Sequence, residues 1–391
     1  MLAQLMAIVA LAIWLTMIFA RGFFWRMRER DDDLAPLSPA AAASITATAI
    51  VPARDEAETI ARCVTSLLQQ QCGARFDVVL VDDQSSDGTG ALARQAAEAI
   101  GQAARLTVLR AGDPPPGWTG KLNAMRAGLA HVEARDGVKP DYILFTDADI
   151  AHEPDVLARL LGCAQREGRV LVSLMAKLAC DSAAERALVP AFIYFFDMLY
   201  PFAWVNDPAR SAAAAAGGCM LAQRDALARA GGLEVIRAAL IDDCALGAAM
   251  KKVGPVWLGL TQRVKSLRPY PRFSDIRNMV TRSAYAQLRY SPLRLTGATL
   301  GMAMTFLAAP ALAFHPDTFV GFPAALAFAL MALSFRPILR FYGLSAWRGV
   351  ALPLVAAIFM GFTLESAWRH WRGQGGAWKG RYQADAESAM R

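Results

Sequence analysis

The stretch DVVLVDDQSSDGT (77–89) decides the fold. It opens on a short β-branched run suited to a buried strand, closes that strand on Asp82 and Asp83, and enters helical periodicity after Gly88. The same unit recurs on both sides. ITATAIV (45–51) precedes a helical stretch after Glu56, and RLTVL (105–109), YILFT (142–146) and RVLVSL (169–174) continue the series. Strands alternating with helices in this way predict an α/β domain whose mostly parallel sheet is covered on both faces. In such sheets ligands bind where the strands end at the carboxyl edge. The polar clusters fall there: Pro52-Ala53-Arg54-Asp55-Glu56 after the first strand, Asp82-Asp83 after the second, Asp147-Ala148-Asp149 after the fourth. Neither a Walker loop nor a GxGxxG is present, which leaves ATPase and dinucleotide-enzyme readings without support.

Around this domain the composition changes. The chain has 391 residues, room for one α/β domain of roughly 200–250 residues plus membrane segments. Of these residues 55% are apolar, and the excess sits in the first 20 residues and after about residue 295. The net charge of +7 gathers beside the apolar runs, with Arg21, Arg26, Arg28 and Arg30 directly after the first. No basic stripe interleaved with aromatics exists, so the charge reads as membrane flanking and not as a nucleic-acid surface. The six cysteines show no CxxC or metal-finger spacing and read as reduced thiols.

Residues 2–20 carry no charge and make a helix of about 28 Å, close to the hydrocarbon thickness. The arginines follow this run instead of preceding it, which predicts an anchor and not a signal peptide, with the next domain in the cytoplasm. A linker over 22–44, Pro/Ala-rich and charged, leads to a catalytic domain over 45–290. Apolar stretches at about 295–314, 318–335 and 350–368 place membrane helices within 291–370, and a basic tail occupies 371–391. Arg336, Arg340 and Arg348 hold the connection between the last two stretches inside, while Pro353 and Glu365 make the final stretch the weakest span. The expected location is the inner, cytoplasmic membrane, multi-pass, with the lipid bilayer itself as a partner. The aromatic stretch 187–205 fits a helix lying in the membrane interface.

Asp147 and Asp149, two carboxylates flanking one small residue at a strand end, can lean toward one hard cation, with diphosphate oxygens completing its shell. Asp82 and Asp83 offer an acceptor for a base N–H or a ribose hydroxyl, while Ser86 and Asp87 suit a helix cap. Lys121 and Asn123 lie in GWTGKLN (117–123), where a glycine-flanked lysine near a helix start suits a phosphate. Asp242 and Asp243 head an amphipathic helix. They serve its dipole, or Asp243 serves as general base beside an acceptor brought close by Gly217 and Gly218.

VPARDE (51–56), VDDQSSDGT (81–89), GKLNA (120–124), DAD (147–149), GG (217–218) and DDCAL (242–246) together resemble the family 2 glycosyltransferases of the processive and lipid-directed kinds, in order and spacing. Within that family GWTGKLNAM (117–125), WKGRY (378–382) and the membrane layout are most similar to the hopene-associated glycosyltransferases, and less so to ceramide glucosyltransferases. The resemblance implies a GT-A, Rossmann-like catalytic domain with transmembrane helices at both ends. It implies a metal-dependent, inverting hexosyltransferase that takes a sugar from a nucleotide-sugar donor, a UDP-sugar, to a membrane lipid acceptor, a hopanoid. Pro52, Arg54, Glu56, Asp82, Asp83, Lys121, Asn123 and Asp147 would form the donor site, with Asp83 on the base. Asp147 and Asp149 would hold Mg²⁺ or Mn²⁺ with the diphosphate, and Asp243, beside Asp242, would be the catalytic base. Met279-Val280-Thr281-Arg282-Ser283 keeps the arginine of the family's QxxRW motif as Arg282 but lacks its Gln and Trp. That departure counts against polysaccharide synthesis, the alternative enzyme reading. A catalytically silent nucleotide-sugar-binding scaffold is the alternative of another class.

Overall fold

Each β-branched run is a strand in the computed structural model, which describes residues 1–375. The strands are β1 Thr46–Ala53, β2 Arg75–Asp82, β3 Leu106–Arg110, β4 Tyr142–Phe145, β5 Ile150–His152, β6 Leu171–Lys177, β7 Met220–Gln223 and β8 Val256–Ser266. They form one sheet in the order β3-β2-β1-β4-β7-β6-β8-β5. β3, β2, β1 and β4 run parallel, as do β6 and β8, while β7 is antiparallel to both neighbours and β5 to β8. The expected α/β, GT-A-like sheet is borne out. The register sets the edge that matters: Ala53 pairs with Asp82 and Asp82 with Arg110, so the first two polar clusters leave the sheet side by side.

Contacts divide the described chain into two compact groups. The α/β unit comprises Glu29–Ala179 and Trp204–Pro269; the helical unit comprises Met1–Arg28, Cys180–Ala203 and the described residues from Tyr270 onward. In the α/β unit, Ile50, Val79, Leu80 and Val81 have no solvent exposure. Each such side chain contributes about 1.5–3 kcal/mol on burial. The helix Gly120–Glu133 lies so close to β1 and β2 that a Cβ on Gly128 would sit 2.7 Å from Ile50 Cγ2. A leucine at position 128 would lift the helix from the sheet. Part of the 22–44 stretch is strapped to this unit: Arg30 bridges to Leu260, buried Asp31 accepts the Thr261 hydroxyl at 2.6 Å, and Leu37 N–H donates to Ala158 O at 2.8 Å. All six cysteines are free thiols.

The helical unit holds four helices long and apolar enough to cross a membrane: Leu2–Phe19, Pro292–Leu312, Thr318–Phe341 and Ala346–Trp371. Trp14 on the first is fully buried, donates to Thr305 O at 2.7 Å and packs edge-on to Phe306. Pro310 has no N–H to donate, and just before it the second helix widens into a π turn over Ala303–Ala308. Glu365 in the last helix is matched by Arg277 and Arg369, each at 2.8 Å, which accounts for its place in an apolar run. The aromatic stretch 187–205 is mostly the helix Ala183–Leu199, started by a Ser182/Glu185 capping box. It packs inside the helical unit and does not lie along its surface. Tyr194 meets Phe24 at a tilt and Phe335 edge-on, Phe195 meets Phe306 and Phe359 edge-on, and the Tyr194 hydroxyl meets Ser334 Oγ at 2.7 Å. Arg282 lies on the helix Phe273–Gln287 of this unit, and WKGRY (378–382) falls outside the described residues.

Candidate active site

The loops leaving β1 and β2 are sewn to one another. Asp55 N–H donates to Ser85 Oγ at 3.0 Å, Ser86 N–H to Asp55 Oδ1 at 2.8 Å, Glu56 N–H to Thr89 Oγ1 at 2.9 Å and Ala57 N–H to Asp87 Oδ2 at 2.9 Å. Two residues at these turns take left-handed backbone, Asp55 with φ 50° and Gln84 with φ 59°. Side chains rarely adopt it, and where they do the surroundings must hold them there. Ser86 and Asp87 are thus spent on structure. Asp82 is partly so, accepting from Ser85 N–H at 2.8 Å. Asp83 is fully buried, with Arg54 Nη1 donating to its carbonyl at 2.9 Å and lying 3.5 Å from its Oδ2. Pro52 is buried within β1. Asn123 donates to Gly112 O at 2.9 Å and accepts from Arg126 at 3.0 Å, so its amide braces the neighbouring loop.

The second group gathers around one ammonium. Lys121 Nζ lies 2.9 Å from Asp147 Oδ1 and 3.0 Å from Asp242 Oδ2. Thus GKLNA, the DAD at the end of β4, and the acid pair heading the helix Asp242–Lys251 meet at a point. Lys121 keeps 21% and Asp147 35% of its side-chain surface, enough for a ligand to reach both. Burial pushes the Asp147 carboxyl up to about 6, with Lys121 opposing the rise and Asp149 and Asp242 adding to it. Burial and then Asp242 also raise Asp243. Burial acts against the charge on Lys121, yet Asp147 and Asp242 more than offset it and hold the ammonium above its ordinary range.

Asp243 is held differently. Its Oδ2 accepts Gly217 N–H at 3.0 Å and its Oδ1 accepts Cys244 N–H at 2.7 Å. The Gly217 α-carbon faces the charged centre: a Cβ there would stand 3.4 Å from Lys121 Nζ, 3.5 Å from Asp243 Oδ2 and 3.6 Å from Asp147 Oδ2. The next glycine is tied to the DAD strand, because Thr146 Oγ1 donates to Gly218 O at 2.7 Å. One helix face carries this whole segment. Asp243 meets Gly217; one turn on, a Cβ on Gly247 would collide with the backbone of Ala214 and Ala215. A turn further, the three N–H groups of Lys251 Nζ are shared among four carbonyls, those of Trp204, Val205, Asp207 and Ala212, at 2.6–3.1 Å. Positions i, i+4 and i+8 lie one above another on a helix.

Arg268 completes the cluster and no motif announced it. Its Nε donates to Asp149 Oδ2 at 2.8 Å and its Nη2 reaches both Glu56 carboxylate oxygens at 2.6 Å. The residue follows β8 in a stretch rich in Lys and Arg (263–268), where a lone arginine reads as surface charge. Asp147 and Asp149 fit a hard cation as far as they go. Among the described residues no cluster of three His, Cys, Asp or Glu is placed to hold a metal, so such an ion would take its remaining oxygens from a diphosphate and water.

Residues 48–230 are similar to the family described as Glycosyl transferase family 2. A curated relative, the undecaprenyl-phosphate 4-deoxy-4-formamido-L-arabinose transferase of Sodalis glossinidius, is 28% identical over 120 residues, 30% of this chain and 33% of that protein. The match thus spans about a third of the relative's length. Among solved structures, a mannosyltransferase from Pyrobaculum calidifontis in complex with GDP-Man and Mn²⁺ superposes with a TM-score of 0.55 at 19% identity, over 94% of this chain and 98% of that one. The likeness is one of fold. A glucosyl-3-phosphoglycerate synthase from Mycobacterium tuberculosis, in complex with Mn²⁺, UDP and phosphoglyceric acid, gives a TM-score of 0.44 at 17% identity, over 67% and 85% of the two chains.

Proposed function

We propose that the family 2 domain of this chain moves a hexose from a nucleotide-sugar donor to a membrane lipid, with inversion, on the cytoplasmic side of the inner membrane. The observation that carries this reading is the division of the carboxylates around Lys121. Asp147 and Asp149 stand at a strand end where a diphosphate can lie, and Asp243 stands beside the glycine segment where an acceptor hydroxyl can lie. Arg54, Asp82 and Asp83 provide the pocket for the base and ribose, with UDP the nucleotide that the sequence resemblance favours. Lys121 faces the diphosphate. Asp147 and Asp149 would hold Mg²⁺ or Mn²⁺, which neutralises charge on the departing diphosphate. Asp243 takes the proton from the acceptor hydroxyl, while backbone N–H groups on both its oxygens fix the carboxylate's direction. Gly217, lacking a side chain, leaves the space between Asp243 and Lys121 open for the sugar and the attacking oxygen. A single displacement with base and leaving group on opposite faces inverts the anomeric carbon.

Four apolar helices and a relative whose name specifies a lipid phosphate support a lipid acceptor. The hopanoid rests on the sequence resemblance alone. The test incubates the detergent-purified chain with a panel of nucleotide sugars and a total lipid extract, with and without chelator, and reads the lipids by mass spectrometry. A lipid heavier by one hexose, formed only with divalent cation, is the expected product. Full turnover in excess chelator, or a soluble glycan as the sole product, would overturn the metal or the lipid part respectively.

A further inference from the structure

A cavity of about 230 Å³ lies wholly within the helical unit, lined by Ala332, Leu333, Arg336, Ala346, Trp347 and Val350. Its walls come from the end of the helix Thr318–Phe341 and the short helix Ala346–Ala351 that opens the last apolar segment. These are neighbours on their faces: Leu333 and Arg336 are one turn apart, and Trp347 and Val350 eclipse on a 3₁₀ turn. Gly349 fixes the spacing, since a Cβ there would collide with the Ala332 carbonyl. The cavity is therefore built into the packing.

Its chemistry is lopsided. Five of the six lining residues are apolar, and the sixth, Arg336, is half-buried and has no ion pair or hydrogen bond among the described residues. Two carboxylates of the same unit are paired elsewhere: Glu365 with Arg277 and Arg369, and Glu185 with the backbone N–H groups of Ser182 and Tyr270. Arg340 is exposed on the same connection, as is Arg348, which donates to Arg186 O. Trp347 is 84% exposed beside them, the position of an interfacial aromatic. A guanidinium with an apolar slot next to it and an indole at its rim matches an anion that carries hydrocarbon.

We infer that this cavity binds the headgroup phosphate and first acyl carbons of an anionic glycerophospholipid. Arg336 forks onto the phosphate, and Leu333, Val350 and Trp347 cover the start of the chains. The inference stands apart from the sugar-transfer reading, and neither depends on the other. Native mass spectrometry of the full chain, released from detergent with phosphatidylglycerol or phosphatidylcholine of identical acyl composition, tests it. Wild type should retain one phosphatidylglycerol roughly tenfold more tightly than phosphatidylcholine. Arg336→Gln should abolish that preference, while Arg336→Lys keeps part of it. Glycerol phosphate should compete only weakly, since the acyl slot is part of the site; full competition would mark an anion site and overturn the lipid assignment. Equal retention of the two lipids by wild type, or an unchanged preference in Arg336→Gln, would overturn the proposal. If the Gln variant does not fold, the headgroup preference of wild type and the Lys variant decide.

Discussion

The carboxylates at the two ends of the cluster are held by opposite means. Asp147 and Asp149 are gripped by the tips of long cationic side chains, Lys121 and Arg268, which reorient at little cost. Asp243 is gripped by two backbone N–H groups on a helix and on a segment that same helix carries. The first arrangement can be exchanged for ligands, with a cation taking the place of a side chain beside the carboxylates and the freed ammonium or guanidinium turning to a diphosphate. The second cannot be exchanged without moving backbone. A donor that arrives and leaves charged suits the exchangeable end, and a base that must meet a hydroxyl at a fixed angle suits the rigid one.

Three substitutions bear on that contrast. Asp243→Asn keeps the shape and one acceptor oxygen but removes the proton acceptor, and turnover should fall roughly 10²–10⁴-fold with donor affinity unchanged. Donor affinity measured by calorimetry checks this; its collapse would move Asp243 to the exchangeable end. Lys251→Met leaves four carbonyls without their donor, so the segment 204–217 should loosen. Expected are a loss of about 1–3 kcal/mol in thermal stability and an acceptor KM raised roughly tenfold with donor affinity intact. An equal loss at the donor would show that the two ends are not independent. Arg268→Gln should be the mildest: freeing Asp149 and Glu56 from a partly exposed pair should raise Mn²⁺ affinity, without donor, roughly threefold. Electron paramagnetic resonance of free Mn²⁺ reads this directly, and no change would mean that Arg268 and the cation do not compete.

Much of this was legible before any coordinates. The five β-branched runs became β1, β2, β3, β4 and β6; in β1, β2, β4 and β6, which are mostly buried, the run reflects a strand covered on both faces, while β3 lies half-buried at the sheet edge. Lys121, Asp147, Asp242 and Asp243 meet because each closes a strand or starts a helix at one sheet edge. β8 was harder to see, since its VWLGLTQRVKS turns from apolar to charged halfway, and the Trp257 ring folds over Gly259. Lys251 near a helix end reads as a partner of the helix dipole and hides its carbonyl cage. The alanines at 212–216 carry no motif, and their conformation departs from their propensity. Alanine has the highest helix propensity, yet these residues form no helix: Gly247 lies against the backbone of Ala214 and Ala215, and Ala216 N–H donates to Ser173 Oγ at 2.9 Å.

That alanine run has a further consequence, which concerns length and not composition. A chain segment pinned at Lys251 on one side and at Asp243 on the other works as a ruler. One residue spans at most about 3.3–3.6 Å of chain, while the hydrogen bond from Gly217 N–H to Asp243 is 3.0 Å long. Removing one alanine would shorten the run by up to about the length of that bond, and inserting one would buckle it toward the space left for the sugar. Exchange of one small side chain for another leaves the spacing alone. What looks like an indifferent spacer is thus a counted one: its residues can drift in identity, but their number is part of the site.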